Sequence, residues 1–412
     1  MKRIQLEIKA LSPLAIGRQK PGGSVSEAEE YIPGSVIRGA IASQILRLSG
    51  HQSTNLVENG GDFQALFLSD TPAIFQNAYP VNADMTRRIN GIWVLPKTAL
   101  SSKTKEGFNS SDNGNGVFDT VIDRFCAEGY GYPYDPICPT SEGRVEPYTC
   151  FYNKVGGNYY SHSVSKRLLT RVGINRRRAT AEEQVLYSIE VLNESQHNQK
   201  RPIRYYGSIL VPDSLADSLC QFINARREDF RLGGSASRGL GKVEIKATIA
   251  ETKPQVEARI KQFNQKLKER WQVWQIFGNP NQELSSDRTY FTIDLQSDAI
   301  LTEHWRRTTV ISPEMLCQFA GVTDLSLQLH DAYSSYNYRS GWNTAWGLMK
   351  DIELITDKGS VYLFSTAQPD TWFTIVEELE MRGVGERTGE GFGQIQICNE
   401  FHLVVWDKEK VA

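Results

Sequence analysis

A cluster of basic residues near the middle of the chain has the chemistry needed to contact a phosphate backbone. Six bases and no acid lie between positions 166 and 178. Such a run is most often a solvated surface, but it can also neutralise successive phosphates of a nucleic acid. The residues of this basic run are Lys166, Arg167, Arg171, Arg176, Arg177 and Arg178.

Two glycine-rich loops could also bring backbone N–H groups close to phosphates. The first glycine loop covers residues 233–241 and the second covers residues 383–393. A Walker A loop is excluded because Leu240 stands where lysine is required, and a Rossmann loop is excluded because these loops follow a predicted helix and open a strand. A phosphate contact of another kind stays open, as does the alternative that the glycines only permit positive φ at tight turns. The candidate phosphate-contacting residues here are Gly234, Ser235, Arg238, Gly239, Lys242 and Arg387.

Side chains that could catalyse a reaction are present, but they do not form a recognisable site. Glu27, Glu29 and Glu30 could in principle hold Mg²⁺, although carboxylates in a loop usually only solubilise. The six histidines are scattered along the chain without a catalytic motif, so each is better interpreted as a surface or hydrogen-bonded structural residue. We therefore predict no catalytic residue. The histidines are His51, His162, His197, His304, His330 and His402.

Four possible zinc ligands, Cys126, Cys138, Cys150 and His162, fall twelve residues apart. Structural zinc sites normally use short C-x₂₋₄-C knuckles, and regular spacing alone brings nothing together. Buried reduced thiols are the simpler interpretation, so we predict no metal and no cofactor. Elemental analysis showing one zinc per chain would reverse this prediction.

The elements that must position the basic residues begin with a strand and a helix. Residues 3–11 alternate between apolar and polar side chains, which predicts a half-buried strand. Ser35 then begins a helix with apolar residues every three or four positions as far as Leu48. Arg38 lies in the first turn, where unpaired N–H groups and the helix dipole favour a phosphate. Ser35 and Arg38 are therefore further candidates.

A combination of helix, glycine loop and strand occurs twice. Residues 212–245 and residues 369–397 each contain a helix opened by proline and aspartate, a glycine loop and an alternating strand. This repeat indicates that the chain duplicates one α+β unit. A long amphipathic helix between Pro254 and Gly278 is predicted to link the two units.

The composition is that of a globular protein with no dominant charge. Of 412 residues, 46 are basic and 48 are acidic, so the net charge is −2 and no overall basic field indicates a nucleic-acid partner. No stretch approaches the roughly 18 unbroken apolar residues of a membrane span, and the N-terminus does not resemble a signal peptide. We expect a cytoplasmic protein without a membrane partner.

Four segments in a fixed order resemble the RAMP superfamily of CRISPR-associated proteins. Residues 31–40 (YIPGSVIRGA) are similar to the family's I-P-G-S segment, and residues 170–178 with Leu186 and Tyr187 resemble a segment shared by type III subunits. The first glycine loop resembles the family's glycine loop, and the second fits its C-terminal G-h-G-x₅-G-h-G form. Two such units in about 400 residues look most like the type III-D Csx-ten family, usually placed in the Cas-five group.

The resemblance implies an α+β fold of tandem ferredoxin-like (RRM-like) domains. The first would cover residues 1–250 with an insertion at about 51–165, a linker helix would cover 251–284, and the second domain would cover 285–412. The implied role is that of a non-catalytic subunit of an RNA-guided effector complex in antiviral defence. It would hold the 5′ repeat-derived tag of the guide (CRISPR) RNA and contact the large polymerase/cyclase subunit and Cas-seven-type backbone subunits, with target RNA bound only indirectly.

Two alternatives stay open at this point. One is an endoribonuclease, either a Cas-six-like enzyme that processes the guide or a Cas-seven-like enzyme that cleaves the target. The other is a scaffold that contacts only proteins, for which the aromatic stretch from Tyr333 to Trp346 would suit an interface. The usual aromatic motif of RRM sheets is absent. Salt would distinguish RNA binding from a hydrophobic interface, because only RNA contacts weaken steeply with ionic strength.

Overall fold

The chain folds into two α+β units in a computed structural model that describes residues 1–18, 27–50, 61–82, 91–109, 112–175, 180–195, 202–250, 255–343 and 347–407. The first unit begins with β1 (Lys2–Ala10), β2 (Gly17–Arg18), β3 (Glu27–Ala28), α1 (Gly34–Ser49), α2 (Gly61–Phe67), β4 (Ile74–Phe75) and β5 (Tyr79–Val81). The chain continues through β6 (Trp93–Val94), β7 (Ala99–Ser102), β8 (Val117–Asp119), α3 (Val121–Gly129), β9 (Val145–Pro147), β10 (Phe151–Val155), β11 (Asn158–His162), β12 (Lys166–Asn175) and β13 (Thr180–Leu192). The unit is completed by β14 (Arg204–Val211), α4 (Asp213–Ala225) and β15 (Val243–Ala250).

The second unit follows the helix α5 (Val256–Trp274). Its elements are β16 (Thr289–Leu295), β17 (Leu301–Glu303), β18 (Arg306–Thr308), α6 (Pro313–Ala320), β19 (Gln328–Tyr333), β20 (Tyr336–Arg339), β21 (Trp342–Asn343), β22 (Leu348–Met349), β23 (Glu353–Thr356), β24 (Val361–Thr366), α7 (Pro369–Arg382) and β25 (Ile395–Ile397). No helix in the described ranges is long and apolar enough to cross a membrane.

Both units have the strand order of a ferredoxin-like fold. In the first sheet the order is β15-β1-β14-β4, with β5 also pairing with β14, and in the second it is β25-β16-β24-β19. In each unit the first strand (β1 or β16) lies between the fourth strand (β15 or β25) and the third strand (β14 or β24). All of these strand pairs are antiparallel. This arrangement confirms the expected tandem ferredoxin-like architecture.

Alternating burial along the strands explains why each sheet covers a core with one face. In β1, Ile4, Leu6 and Ile8 are fully buried, while the residues between them are partly exposed. The same side of the first sheet packs against apolar residues of α1 and α4. The second sheet is covered by α6 and α7 and also by α5, whose Val256, Phe263 and Trp271 belong to the second core. The linking helix is thus an integral part of the second unit.

The segment between α1 and β14, where an insertion was expected, also contributes strands to the first sheet and a helix to the second core. Strands β4 and β5 pair with β14, so part of the segment expected at about 51–165 completes the first sheet. The helix α3 packs with Val121 and Cys126 into the core of the second unit, so this segment also connects the two units. The domain boundaries themselves stay a prediction.

Candidate nucleic-acid interface

The first glycine loop lies between α4 and β15, and backbone hydrogen bonds hold it to the segment that follows β1. Gly234 donates to the carbonyl of Ala15 at 2.8 Å, and Gly241 donates to that of Pro13 at 2.9 Å. Between them, Ser235 (φ 58°) and Gly239 (φ 84°) enclose one 3₁₀ turn, Ala236–Arg238. Most of the loop is exposed, and no atom lies within 4 Å of the position that a Cβ would take on Gly239. A ligand could therefore approach this backbone closely.

The second glycine loop has the same backbone geometry but is covered. Arg387 (φ 57°) and Gly391 (φ 94°) again enclose one 3₁₀ turn, and Gly393 donates to the carbonyl of Asp298 at 2.8 Å. A Cβ on Gly391 would lie 2.6 Å from Asn77 Oδ1 and 2.9 Å from the carbonyl oxygen of Phe75, both in the first unit. The first unit thus occupies, at the second loop, the space that is empty above the first loop.

The N-terminus of α1 forms the other side of this contact between the units. Gly34 donates its N–H to Asn77 Oδ1 at 2.8 Å, and a Cβ on Gly34 would collide with the carbonyl oxygen of Phe75. Ser35 lines a narrow cleft that also contains the carboxylates of Asp298 and Glu390. Arg339 also lines the cleft and pairs with Asp298, while Arg387 pairs with Glu390, so these charges already neutralise one another. The structure therefore gives the helix terminus a role in packing the two units together.

Arg38 and Arg387 are both engaged in contacts within the protein. The guanidinium of Arg38 donates to the carbonyl of Phe67 at 3.1 Å and lies 5.3 Å from the centre of its ring. Arg387 pairs with Glu390 at 2.6 Å and lies over the ring of Phe392. Neither guanidinium is brought to the first glycine loop.

Buried charges connect the two units beside this cleft. Arg339 pairs with Asp298 at 3.3 Å and with Glu29 at 3.0 Å, and the hydroxyl of Tyr31 donates to Asp298 at 3.3 Å. Burial alone would raise the pKa of Asp298, but the positive charges of Lys358 and Arg339 hold that pKa below its ordinary value. Glu29, one of the possible Mg²⁺ ligands, is therefore a buried partner of Arg339.

The basic run lies on a two-stranded ribbon formed by β12 and β13. At its base, Lys166 donates to the carbonyl of Ala28 at 2.8 Å and pairs with Glu30 at 3.4 Å. Arg167 pairs with Glu194 at 2.9 Å. Arg171 is exposed farther along the ribbon, directly opposite Tyr187. Arg176, Arg177 and Arg178 lie outside the described residues.

One face of the ribbon packs against the first glycine loop. Leu169, Ile189 and Val191 form a small apolar cluster with Ala15 and Leu240. Residues at cross-strand pairs share a face, so Arg171 and Tyr187 continue this face outward. The guanidinium of Arg238, from the loop, lies 5.1 Å from the centre of the Tyr187 ring. We call Arg171, Tyr187 and Arg238 the Arg–Tyr–Arg cluster.

The Arg–Tyr–Arg cluster combines two predicted residues with one that the sequence did not single out as a contact. Arg238 and Arg171 came from separate motifs, and the structure brings them to the same edge of the open loop. Tyr187 could have been found only from the register that places it opposite Arg171. Lys242 is exposed where the loop enters β15, and its N–H donates to Ser12 Oγ at 2.7 Å. Gly234, Ser235 and Gly239 form the backbone between these side chains.

The described histidines have structural surroundings or are exposed. Burial lowers the pKa of His162 to about 4, and burial together with Arg288 lowers that of His330 to about 4. His402 is fully buried, with Nε2 2.7 Å from Asp294 Oδ1 and Nδ1 3.0 Å from Asp119 Oδ1. Burial opposes its charge, but these two carboxylates raise its pKa to about 10. His304 is exposed in a turn, while His51 and His197 lie outside the described residues.

The four possible zinc ligands are distributed over separate elements. Cys126 lies in α3, whereas His162 ends β11 and faces Asn153 at 3.1 Å. Cys138 and Cys150 lie in the connections on either side of β9. Within the part of the chain that the structure describes, no group of three or more His, Cys, Asp or Glu side chains could hold a metal ion.

A protein-family model covers most of the first unit. The family model described as the RAMP superfamily matches residues 7–244, which is more than half of the chain and extends from β1 into β15. The chain belongs to the RAMP superfamily. No curated protein matches it.

Among solved structures, the chain is similar to components of type III-B Cmr-beta. For the complex bound to cognate target RNA and AMPPnP, the identity is 12%, the TM-score is 0.43, and the match covers 87% of this chain and 86% of the other. For the apo state the identity is 13%, the TM-score is 0.29, and the match covers 60% of this chain and 97% of the other. Similarity at this level carries no conclusion about function.

Proposed function

We propose that this RAMP protein is a non-catalytic RNA-binding subunit of a type III CRISPR effector complex, of the type III-D Csx-ten family. In this role it holds the 5′ repeat-derived tag of the guide RNA and contacts the large polymerase/cyclase subunit and a Cas-seven-type backbone subunit. The observation that carries the proposal is the open first glycine loop beside the Arg–Tyr–Arg cluster. The equivalent loop of the second unit is covered by the first unit, so the two loops have different roles.

The chemistry of the open loop fits a single-stranded RNA segment. Guanidinium groups pair with phosphates in a bidentate manner and stack on bases, and an aromatic ring between them offers a surface for an unpaired base. Arg171 and Arg238 are both exposed, so they keep donors available for a ligand. The empty space above Gly239 lets a sugar–phosphate backbone approach the main chain.

The surroundings of the carboxylates support a non-catalytic role. Glu29 is held by Arg339 in the interface between the units, and Glu30 pairs with Lys166. The buried pair keeps Glu29 from a metal, whereas Glu30 is 62% exposed in its pair, so the support comes from Glu29. A nuclease that uses Mg²⁺ needs carboxylates available to the metal and to the substrate.

The experiment is binding and crosslinking of end-labelled repeat–spacer RNA to the purified chain in the presence of Mg²⁺, with products separated on a denaturing gel. The variants are Arg238→Ala and Tyr187→Ala. Arg226→Ala is the matched control, since Arg226 stacks at 5.0 Å on Phe222, which reproduces the Arg238 contact at another place in the same unit.

We expect a crosslinked band that maps to the repeat-derived tag, with the remaining RNA intact. Loss of the Arg238 guanidinium or of the Tyr187 ring should weaken binding by about tenfold, whereas Arg226→Ala should leave it within about twofold. Equal effects of all three variants would contradict the proposed interface. Discrete cleavage products that disappear on Glu27→Gln or Glu30→Gln substitution would make the protein a ribonuclease.

A further inference from the structure

The hairpin formed by β17 and β18 carries a tryptophan at its tip in an unfavourable backbone conformation. Its two turn residues, His304 and Trp305, both have positive φ values, 47° and 64°. Two-residue turns of this kind favour asparagine and glycine, and a bulky side chain there is strained. Trp305 is nevertheless 99% exposed, so packing within the described structure does not account for a large apolar residue at this position.

The base of the hairpin is fixed, so the tip projects from a rigid support. Arg307 pairs with Glu353 at 2.7 Å and with Glu386 at 2.5 Å. Thr302 donates to Glu386 at 2.6 Å, and Glu303 accepts a hydrogen bond from Ser312. These contacts join both strands to neighbouring elements at the base of the hairpin.

The immediate neighbours of Trp305 favour a nucleic acid over an apolar protein surface. His304 and Arg306 are both exposed, and Glu303, which lies opposite Arg306 across the hairpin, accepts a hydrogen bond from Ser312. Within the described residues, Arg306 forms no ion pair. Protein interfaces usually present a contiguous apolar patch, whereas an isolated ring flanked by a cation suits a base next to its phosphate. An indole ring is also the side chain with the largest stacking surface.

We propose that Trp305 stacks on an unpaired base of single-stranded RNA, with Arg306 pairing to the neighbouring phosphate. This inference rests on the proposed function that the chain binds RNA, and it adds a contact in the second unit. The second unit would then hold RNA by this tip, since its own glycine loop is covered by the first unit.

The test uses the full chain and single-stranded repeat–spacer RNA in which uridines are replaced one at a time by 5-iodouridine. Crosslinked peptides are identified by mass spectrometry, and affinities are measured for Trp305→Ala and Trp305→Phe. The matched control is Leu325→Ala, because Leu325 is 97% exposed and lies outside the hairpin. Substitution at a fully exposed turn should leave the fold intact, which circular dichroism checks.

We expect a crosslink to Trp305 at one position of the RNA. Affinity should fall about tenfold for Trp305→Ala, should be largely kept for Trp305→Phe, and should be unchanged for Leu325→Ala. If Trp305→Ala binds RNA within twofold of the native chain and no crosslink reaches the tip, the inference is wrong while the first glycine loop can still bind RNA. If that variant keeps its RNA affinity but fails to co-purify with other complex subunits, the tip contacts protein and the inference is also overturned. If the native chain binds no RNA at all, both proposals fail together.

Discussion

Gly239 and Gly391 occupy equivalent places in the two glycine loops, so replacing each by alanine separates backbone strain from packing. Their backbone angles are nearly the same, φ 84° and ψ 9° against φ 94° and ψ 11°. An alanine in this left-handed region costs about 1–2 kcal/mol, and its effect on the unfolded chain is the same at both positions. The difference in the free energy of unfolding between the two variants therefore measures how closely other atoms surround each residue.

At Gly391 the new Cβ would lie 2.6 Å from Asn77 Oδ1 and 2.9 Å from the carbonyl oxygen of Phe75, which forces the loop or the first unit to move. Such overpacking costs about 1–3 kcal/mol. Displacement of Asn77 would also weaken its hydrogen bond with Gly34, at about 1 kcal/mol. We expect Gly391→Ala to lower the free energy of unfolding by about 2–4 kcal/mol more than Gly239→Ala does.

The assay is urea unfolding followed by tryptophan fluorescence and far-ultraviolet circular dichroism, with hydrogen exchange at the start of α1 as a local probe. Binding of repeat–spacer RNA is measured on the same two variants under conditions in which both are folded. Gly239→Ala should weaken RNA binding, because its methyl group fills the open space, while Gly391→Ala should bind RNA normally. Equal stabilities, or a larger loss of RNA affinity in Gly391→Ala, would refute the distinction between an open and a covered loop.

Three further predictions concern the buried charges and the salt dependence. His402→Gln should destabilise the protein by about 3–5 kcal/mol, because Asp119 and Asp294 stay buried without a cation. The pKa of His402 is raised from 6.5 to about 10, so its contribution to stability is complete below pH 6.5 and is lost as the pH rises through 10. Urea unfolding across this pH range should show that loss in the native chain and not in the His402→Gln variant. Arg339→Met should cost about 3–5 kcal/mol at pH 7, measured by the same unfolding assay, because the buried Glu29 loses the charge of Arg339 and Asp298 keeps mainly that of Lys358. A loss below about 1 kcal/mol would show that these carboxylates are compensated without Arg339. Arg171→Ala should reduce the slope of log affinity against log salt by about 0.7, as expected for one phosphate contact to a single strand, and an unchanged slope would remove Arg171 from the RNA interface.

The tandem architecture was predictable because the sequence repeats its local signals. The spacing of apolar residues indicates α1, α4 and α7, and strands such as β1 alternate in the way that a half-buried sheet requires. Apolar residues of α5 recur every three or four positions from Val256 to Trp271, and they form the face that the structure buries. Which sheet covers that face depends on contacts between distant parts of the chain, so local periodicity could not assign α5 to the second core.

The difference between the two glycine loops was not predictable from their sequences. Both have the same local conformation, and only the docking of Gly34, Phe75 and Asn77 covers the second. The Ser-, Gly- and Asn-rich composition of residues 101–116 is typical of a mobile loop, yet Phe108 within it is a core residue. This side chain is fully buried against aromatic residues including Tyr159 and Phe401, so one aromatic residue outweighs a polar composition. The tip at Trp305 was also missed because its turn lacks the asparagine or glycine that usually indicates a tight hairpin.

The most direct test of the central claim is crosslinking of repeat–spacer RNA to the purified chain, with the crosslinked peptides identified by mass spectrometry at several salt concentrations. We predict crosslinks between the repeat-derived tag and peptides that contain Tyr187 or the first glycine loop, and these should weaken steeply as ionic strength rises. Crosslinks confined to other surfaces, or RNA binding that is insensitive to salt and to Arg238→Ala, would contradict the assignment of this loop as the RNA site.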